Sequence, residues 1–136
     1  PGVPLGARTG LEGEFPAITV GENARAVLRA APPAPVAGTA TTLVVVATDV
    51  TLDKAGCRRL ATMGHDGLAR SVSPIHTLMD GDVVFGLSTA ARPAPQPLEL
   101  FALQAAAADV VSRAMVHAVL AAETVGTWRS YRDVVG

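Results

Sequence analysis

The sequence is poor in several residue types, and each shortage excludes a class of structure or function. Only 4% of the 136 residues are aromatic, although 49% are hydrophobic. The apolar side chains are mostly alanine, valine and leucine, which suit close packing of helices and sheets. Lys54 is the only lysine, and eleven basic residues face twelve acidic ones. No polycationic surface for nucleic acid is therefore predicted.

Cysteine is also scarce, because Cys57 is the only one. It cannot form an internal disulfide, which favours a reducing compartment, and we expect a cytoplasmic protein. Neither a basic leader nor about 18 consecutive apolar residues is present, so we expect a soluble chain and no membrane association. The sequence opens on Pro1 rather than methionine, and we expect it to be part of a longer chain. No cofactor is predicted.

The first 40 residues differ in character from the rest. They hold six of the ten prolines, and the run APPAPVAG over residues 31–38 predicts extended chain. A short helix is possible over residues 22–30. From Thr41 the character changes, because the β-prone apolar run over residues 43–47 is typical of a strand buried on both faces.

A helix is predicted over residues 54–71, with Thr51 or Asp53 as its cap. Three glycines lie inside it, and glycine costs up to about 1 kcal/mol relative to alanine in a helix interior. They indicate either close backbone approach or a break near His65.

A second strand over residues 82–89 follows the turn-forming pair Asp80 and Gly81. Gly86 within it marks a close contact. The long helix over residues 98–123 carries apolar residues around most of its circumference, so it is expected to be largely buried. Asp109, Arg113 and Glu123 interrupt it, which favours burial in a protein core or oligomer interface over a membrane.

The order strand, helix, strand, long helix predicts a layered α/β domain. Two strands are too few to close a sheet, because they leave edges and faces uncovered. Either the chain dimerises, or sequence outside it supplies most of the sheet.

Thr41 with Asp80 and Asp82 is the strongest candidate for chemistry. Residues two apart in a strand share a face at a spacing of about 6.6 Å, so both carboxylates could point into one pocket. A threonine hydroxyl is a weak nucleophile, and its own α-amine, with a pKa of about 7.7 to 8.0, is a usable base. That requires Thr41 to be a first residue. A simple turn and a simple strand end remain the alternative.

The string TTLVVVATDVTLDKAGCRRLATMGHDGLARSVSPIHTLMDGDVVFGLST over residues 41–89 resembles a known signature region. That signature region is typical of the family that contains L-aminopeptidase/D-amino-acid esterases, β-aminopeptidases and nylon-oligomer hydrolases. The resemblance extends more weakly to PLG at Pro4, GEF at Glu14 and YRD at Tyr131.

This resemblance implies a precursor that cuts itself into a large α and a small β subunit. Residues 1–40 would be the tail of the α region and the processing linker, and residues 41–136 the β region. The implied fold is part of an αββα four-layer sandwich, as in ornithine acetyltransferase. The α region of the same precursor would be a partner and would supply the oxyanion-stabilising groups, and αβ units would form a larger homo-oligomer.

The resemblance assigns the cut to the Ala40–Thr41 bond and the nucleophile to Thr41. Thr41 would hydrolyse a small peptide, β-peptide or amide oligomer through an acyl-enzyme. Asp80 and Asp82 would orient its amine and hydroxyl, and one of them is the local base for self-cleavage. The Asp-x-Asp form resembles the nylon-oligomer hydrolase branch, and Gly38 supplies flexibility near the cut.

The chain alone is expected to be inactive without the α region. Family precursors often carry asparagine or glycine where this chain has Ala40. The alternative is therefore a truncated or unprocessed homologue that acts as a non-catalytic assembly or interaction fragment.

Other polar residues have simpler interpretations. A zinc or manganese site could be drawn from two histidines and three aspartates: His65, His76, Asp66, Asp80 and Asp82. His65 is more simply a capping or packing residue. We interpret His117 as a hydrogen-bonded buried histidine, Cys57 as a packing residue, and Arg58 and Arg59 as a solvated face.

Overall fold

The computed structural model of the chain describes residues 2–30 and 40–136. The predicted extended run over residues 31–38, with Gly38, lies outside the described residues. The elements, in chain order, are a 3-10 turn (Leu5–Thr9), α1 (Glu22–Arg29), β1 (Leu43–Val50), α2 (Lys54–Ala69), β2 (Val83–Arg92), α3 (Pro97–Ala121) and α4 (Tyr131–Val135). The predicted α/β class is confirmed, and every predicted helix and strand in this part of the chain is present.

The two strands form a parallel pair. Their register runs from Leu43 opposite Val83 to Thr48 opposite Ser88, with an irregularity before Val50. A parallel pair needs a crossover connection, and α2 provides it. An isolated bridge between Ala40 and Asp80 continues the pairing beyond the strand starts.

Within residues 2–30 and 40–136, helices cover one face of the sheet and leave the other face open. Val46 on the covered face is buried, whereas Leu43 and Val45 are 71% and 63% exposed. Phe85 and Leu87 on β2 are exposed in the same way. The prediction that β1 is buried on both faces is therefore wrong for this chain, because α2 and α3 pack on one face only.

Helix α2 begins where its capping residue predicts. Asp53 Oδ1 accepts a hydrogen bond from the Gly56 amide at 2.7 Å, which satisfies one of the amides left free at a helix start. The helix passes without a break through His65 and ends at Ala69.

The glycines of α2 and β2 lie at close contacts. A Cβ at Gly67 would be 2.4 Å from the Ala108 carbonyl oxygen, and a Cβ at Gly86 would be 2.0 Å from the Cys57 carbonyl oxygen. Both distances are too short for any side chain, so the close-approach interpretation of these glycines is confirmed.

Helix α3 begins at Pro97 with a capping box, in which Gln96 and Glu99 satisfy each other's backbone amides. Its buried residues lie on one side of the helix: Ala107, Ala108, Val111, Ser112 and Val116. Leu98 and Phe101 are exposed, so the expectation of burial around most of the helix is wrong within the described chain. By length and hydropathy alone α3 could cross a membrane; here its buried side packs against α2.

The core lies between the covered face of the sheet, α2 and α3. Its buried cluster consists of Val46, Leu60, Leu68, Val84, Ala107 and Val111. Burying a side chain of this kind contributes about 1.5–3 kcal/mol. Because Val46 and Val84 belong to this cluster, the core anchors both strands through their covered face.

The N-terminal segment contacts α3 and the first residue of α4. Glu14 accepts hydrogen bonds from Arg113 at 2.7 Å and His117 at 2.9 Å, and the Tyr131 hydroxyl donates to the Gly2 carbonyl oxygen at 2.6 Å. His117 is hydrogen-bonded, but its side chain is 56% exposed. The interpretation of His117 as a buried histidine is wrong, because it lies on the side of α3 that faces the N-terminal segment and solvent.

Candidate active site

The predicted site residues meet at the amino ends of the two strands. Ala40 and Thr41 precede β1, and Asp80 precedes β2. Parallel strands begin at the same edge of a sheet, and backbone hydrogen bonds tie the two entry segments together. The Gly81 amide donates to the Ala40 carbonyl oxygen at 2.8 Å, and the Val83 amide donates to the Thr42 carbonyl oxygen at 2.9 Å.

Thr41 is exposed at this edge. The register places it opposite Gly81, and a Cβ built on Gly81 would lie 2.9 Å from Thr41 Oγ1. Side chains alternate along a strand, so Thr41 shares a face with Gly81, and the two aspartates flanking Gly81 belong to the other face. The hydroxyl therefore lies directly over the glycine of the Asp-Gly-Asp turn.

The carboxylate of Asp82 is almost fully buried, with 4% of its side chain exposed. One oxygen accepts from the Thr42 amide at 2.9 Å, and the other is 2.9 Å from His76 Nδ1. Burial acts to raise the pKa of Asp82, but the hydrogen bonds from Thr42 and His76 outweigh it, so the pKa lies below its ordinary value. The ionised Asp82 carboxylate therefore links the segments that precede β1 and β2.

His76 connects Asp82 to α2. Its backbone has a φ of 58°, a left-handed conformation that costs a non-glycine residue about 1 kcal/mol or more. Its Nε2 is 3.4 Å from Nδ1 of His65, and the two rings meet edge to face with centroids 4.8 Å apart. This strained backbone holds the imidazole against the Asp82 carboxylate.

Asp80 has different partners. One carboxylate oxygen accepts from the Thr77 amide at 2.8 Å and from the Thr77 hydroxyl at 2.9 Å. This closes a local turn ahead of β2. The hydrogen bonds of Asp80 and Asp82 thus go to separate groups, and the predicted action of both carboxylates on Thr41 stays a prediction.

Sequence reasoning named Thr41, Asp80 and Asp82 but missed what holds them. His76 was considered only as a metal ligand, and the Thr42 amide was not considered. In the part of the chain that the structure describes, no three histidine, cysteine or acidic residues are grouped to hold a metal ion. A histidine six residues before an aspartate is a weak signal, since only the turn through Thr77 brings the two together.

A separate cleft of about 510 Å³ lies between the N-terminal segment and the ends of α3 and α4, lined in part by Phe15, His117 and Tyr131. Hydrogen bonds from Arg113, foremost, and from the Leu11 amide lower the pKa of Glu14 in this cleft to about 2. That carboxylate already has its partners, and the cleft does not include Thr41. The cleft is therefore separate from the candidate nucleophile.

Comparison with known proteins places this α/β chain among the peptidases. More particularly, the chain belongs to peptidase family S58, whose model matches residues 2–132. The resemblance to the L-aminopeptidase/D-amino-acid esterase family is thereby confirmed, including its weaker extension to both ends of the chain.

The relatives carry aminopeptidase names. An uncharacterized aminopeptidase of Mycobacterium tuberculosis is 44% identical over 105 residues, which are 69% of this chain and 30% of that protein. One of Mycobacterium leprae is 43% identical over 108 residues, which are 71% of this chain and 30% of that protein. The chain thus matches about a third of the length of these relatives.

Proposed function

We propose that the complete protein is an amino-terminal-nucleophile amidohydrolase or aminopeptidase. It cuts its own chain between Ala40 and Thr41, and the freed Thr41 then hydrolyses small peptides, β-peptides or other amides through an acyl-enzyme. The observation that carries the proposal is the position of this bond. It lies at an exposed strand start, hydrogen-bonded to the Asp-Gly-Asp turn of the neighbouring strand.

In the cut protein, the α-amine of Thr41 acts as the base for its own hydroxyl, because its pKa is about 7.7 to 8.0. Before the cut that amine is an amide, so a carboxylate must take the hydroxyl proton. One of the two neighbouring aspartates, Asp80 or Asp82, is the local candidate for this proton. Asp82, which contacts His76, holds the backbone amide of Thr42 next to the nucleophile.

The open face of the sheet supports a second part of the proposal. Residues 1–40 end an α region and residues 41–136 form the β region, and the rest of the α region covers the exposed side chains of β1 and β2. The result is the αββα four-layer sandwich, with αβ units assembled into a homo-oligomer. The apolar side chains on the uncovered face are the reason a partner is needed.

The proposal is tested by intact-mass measurement on the complete protein. Thr41→Ala is expected to leave the chain uncut and to abolish amide hydrolysis, because no nucleophile remains. Thr41→Ser keeps a hydroxyl and is expected to be cut. Thr62→Ala removes a distant threonine hydroxyl on α2 and serves as the matched control, with both activities unchanged.

The same measurement distinguishes the proposed enzyme from the alternative, a non-catalytic assembly fragment. A fragment that begins at Thr41 supports the enzyme. Persistent full-length chain, together with no hydrolysis of any peptide or amide, would establish the assembly fragment instead.

A further inference from the structure

The carbonyl oxygen of Ala40 already has a hydrogen-bond donor. The Gly81 amide donates to it at 2.8 Å, within the pairing that continues the sheet beyond β1 and β2. In a cut between Ala40 and Thr41 this oxygen is the one that becomes negatively charged. A donor about 2.7–3.1 Å from such an oxygen is the geometry of an oxyanion hole.

We propose that the backbone amide of Gly81 is the oxyanion donor for self-cleavage of the Ala40–Thr41 bond, which makes Gly81 a catalytic residue for that step. The inference rests on the proposed function, since it concerns the same bond. It differs from the groups that the α region supplies for substrate hydrolysis, because this donor lies within the present chain.

The chemistry balances as follows. Thr41 Oγ1 bonds to the Ala40 carbonyl carbon while its proton passes to an aspartate, and the electron pair of the carbonyl moves onto the oxygen that faces Gly81. The pair then returns, the bond from carbon to the Thr41 nitrogen breaks, and the aspartate gives its proton to that nitrogen. Water hydrolyses the resulting ester, which leaves a carboxylate on Ala40 and a free amine and hydroxyl on Thr41.

Gly81 contacts both reacting groups. Its amide faces the oxygen of Ala40, and the place where its Cβ would be lies 2.9 Å from Thr41 Oγ1. Any side chain at position 81 would therefore push the nucleophile away from its place. A larger residue between the two aspartates would therefore require the Thr41 hydroxyl to turn away.

The sheet holds this donor in place before the reaction begins. Gly81 is flanked by Asp80, which is fixed by Thr77, and by Asp82, which is fixed by the Thr42 amide. The Gly81 amide therefore already points at the Ala40 oxygen and does not have to reorient when negative charge develops on that oxygen. Such a preorganised donor contributes about 10²–10³ in rate.

The neighbouring hydrogen bond of the same pairing provides a matched control. The Val83 amide donates to the Thr42 carbonyl oxygen at 2.9 Å, but that carbonyl belongs to no bond that is cut. An amide-to-ester change at position 81, made with glycolic acid, removes only the Gly81 donor. The same change at position 83, made with α-hydroxyisovaleric acid, removes the Val83 donor.

Cleavage is measured by intact mass as a function of time on the complete protein and its two esters. The ester at position 81 is expected to cut about 10²-fold or more slowly, and the ester at position 83 within about fivefold of the unsubstituted protein. Equal rates for the unsubstituted protein and the ester at 81 would overturn the role of Gly81 alone. No cut in the unsubstituted protein would overturn the proposed function and this inference with it.

A second pair of variants covers the case in which an ester prevents folding. Gly81→Ala and Gly81→Pro both crowd Thr41 Oγ1, but only proline also removes the donor. Gly81→Pro is expected to cut at least about tenfold more slowly than Gly81→Ala. Equal rates in two folded variants would contradict the inference.

Discussion

At the scale of single residues, the site depends on a few hydrogen bonds that reach across the chain. Asp82 holds the Thr42 amide of the opposite strand and the ring of His76. His76 itself keeps a left-handed backbone, which alanine tolerates poorly and asparagine tolerates well. The position of the nucleophile is therefore tied to a residue outside both strands.

His76→Ala is expected to lower the free energy of unfolding by about 2 kcal/mol, because a hydrogen bond to a charged group is lost. It also removes one of the interactions that lower the pKa of Asp82. The carboxylate is then protonated at a higher pH, so the acid limb of the cleavage rate moves to higher pH. The pH profile of cleavage, followed by mass, measures this shift.

His76→Asn is the matched variant, since its amide nitrogen takes the place of Nδ1. It is expected to restore most of the pH profile and the stability. A His76→Ala profile that coincides with that of the unsubstituted protein would remove His76 from the site.

Glu14 gives a second prediction, on acid stability. Arg113, foremost, the Leu11 amide and His117 lower its pKa from 4.5 to about 2. A carboxyl group with a lowered pKa in the folded state stabilises the protein above its unfolded pKa, and this is lost as the pH falls through the folded value. Glu14→Gln is therefore expected to reduce stability above pH 4.5, with a difference that shrinks between pH 4.5 and 2.

Urea unfolding at several pH values measures this difference. Glu12→Gln, which removes an exposed negative charge two residues away, is the control. A constant gap between the Glu14→Gln variant and the unsubstituted chain from pH 6 to pH 2.5 would contradict the role of the Arg113 pair.

At the scale of elements, α2 lies against β2 with almost no space between their backbones. The contact is at Gly86, where a Cβ would be 2.0 Å from the Cys57 carbonyl oxygen. Because this oxygen belongs to the backbone, it cannot move without shifting the helix. The distance between helix and strand is set by the absence of one side chain.

Gly86→Ala is expected to lower the free energy of unfolding by about 1–3 kcal/mol or more, the usual cost of overpacking. Gly56→Ala, in the first turn of the same helix, meets only side-chain atoms at 3.2 Å or beyond and is expected to stay within about 1 kcal/mol. Urea unfolding of the two variants compares them. Equal stabilities of the Gly86→Ala and Gly56→Ala variants would show that α2 can shift away from β2 without loss of stability.

The elements were predictable because their signals are local. Asp53 marks the start of α2, and the three glycines within the helix indicated either close backbone approach or a break. The burial of each face was not predictable, because it depends on which element packs where. Thus β1 is open on one face, although its run of valines is typical of a strand buried on both.

At the scale of the whole molecule, the described residues leave one face of the sheet uncovered. Val45 and Phe85 are paired across β1 and β2, and both are mostly exposed. Apolar side chains gathered on an exposed face mark a site of interaction. In the proposed function, the α region of the precursor provides the cover.

The double variant Val45→Lys with Phe85→Glu is expected to leave the fold of the chain intact, since these side chains are outside its core. It is expected to prevent assembly with a separately expressed α region, because two charges would have to be buried. Co-elution on a sizing column measures assembly. Leu78→Glu, at a fully exposed position away from the sheet, is the control. Unchanged co-elution of the double variant would show that the α region binds elsewhere.

How much of the site could be predicted differs from residue to residue. Thr41 and the two aspartates were predicted, because a family signature marks them. The contacts of Gly81, His76 and Thr42 were not, since they depend on the register of a parallel pair and on one turn. Nothing local in the sequence specifies either.

The pairing at the strand starts has a consequence for when the chain is cut. The Gly81 amide and the Ala40 carbonyl that it contacts are separated in the sequence by β1 and α2, so the donor reaches this carbonyl only after β1, α2 and β2 have come together. Under the proposed mechanism a nascent or mispaired chain keeps its full length. The fraction of cut chain in a cell extract would then report the fraction of molecules that have folded correctly. The length of each chain would show whether that molecule has matured.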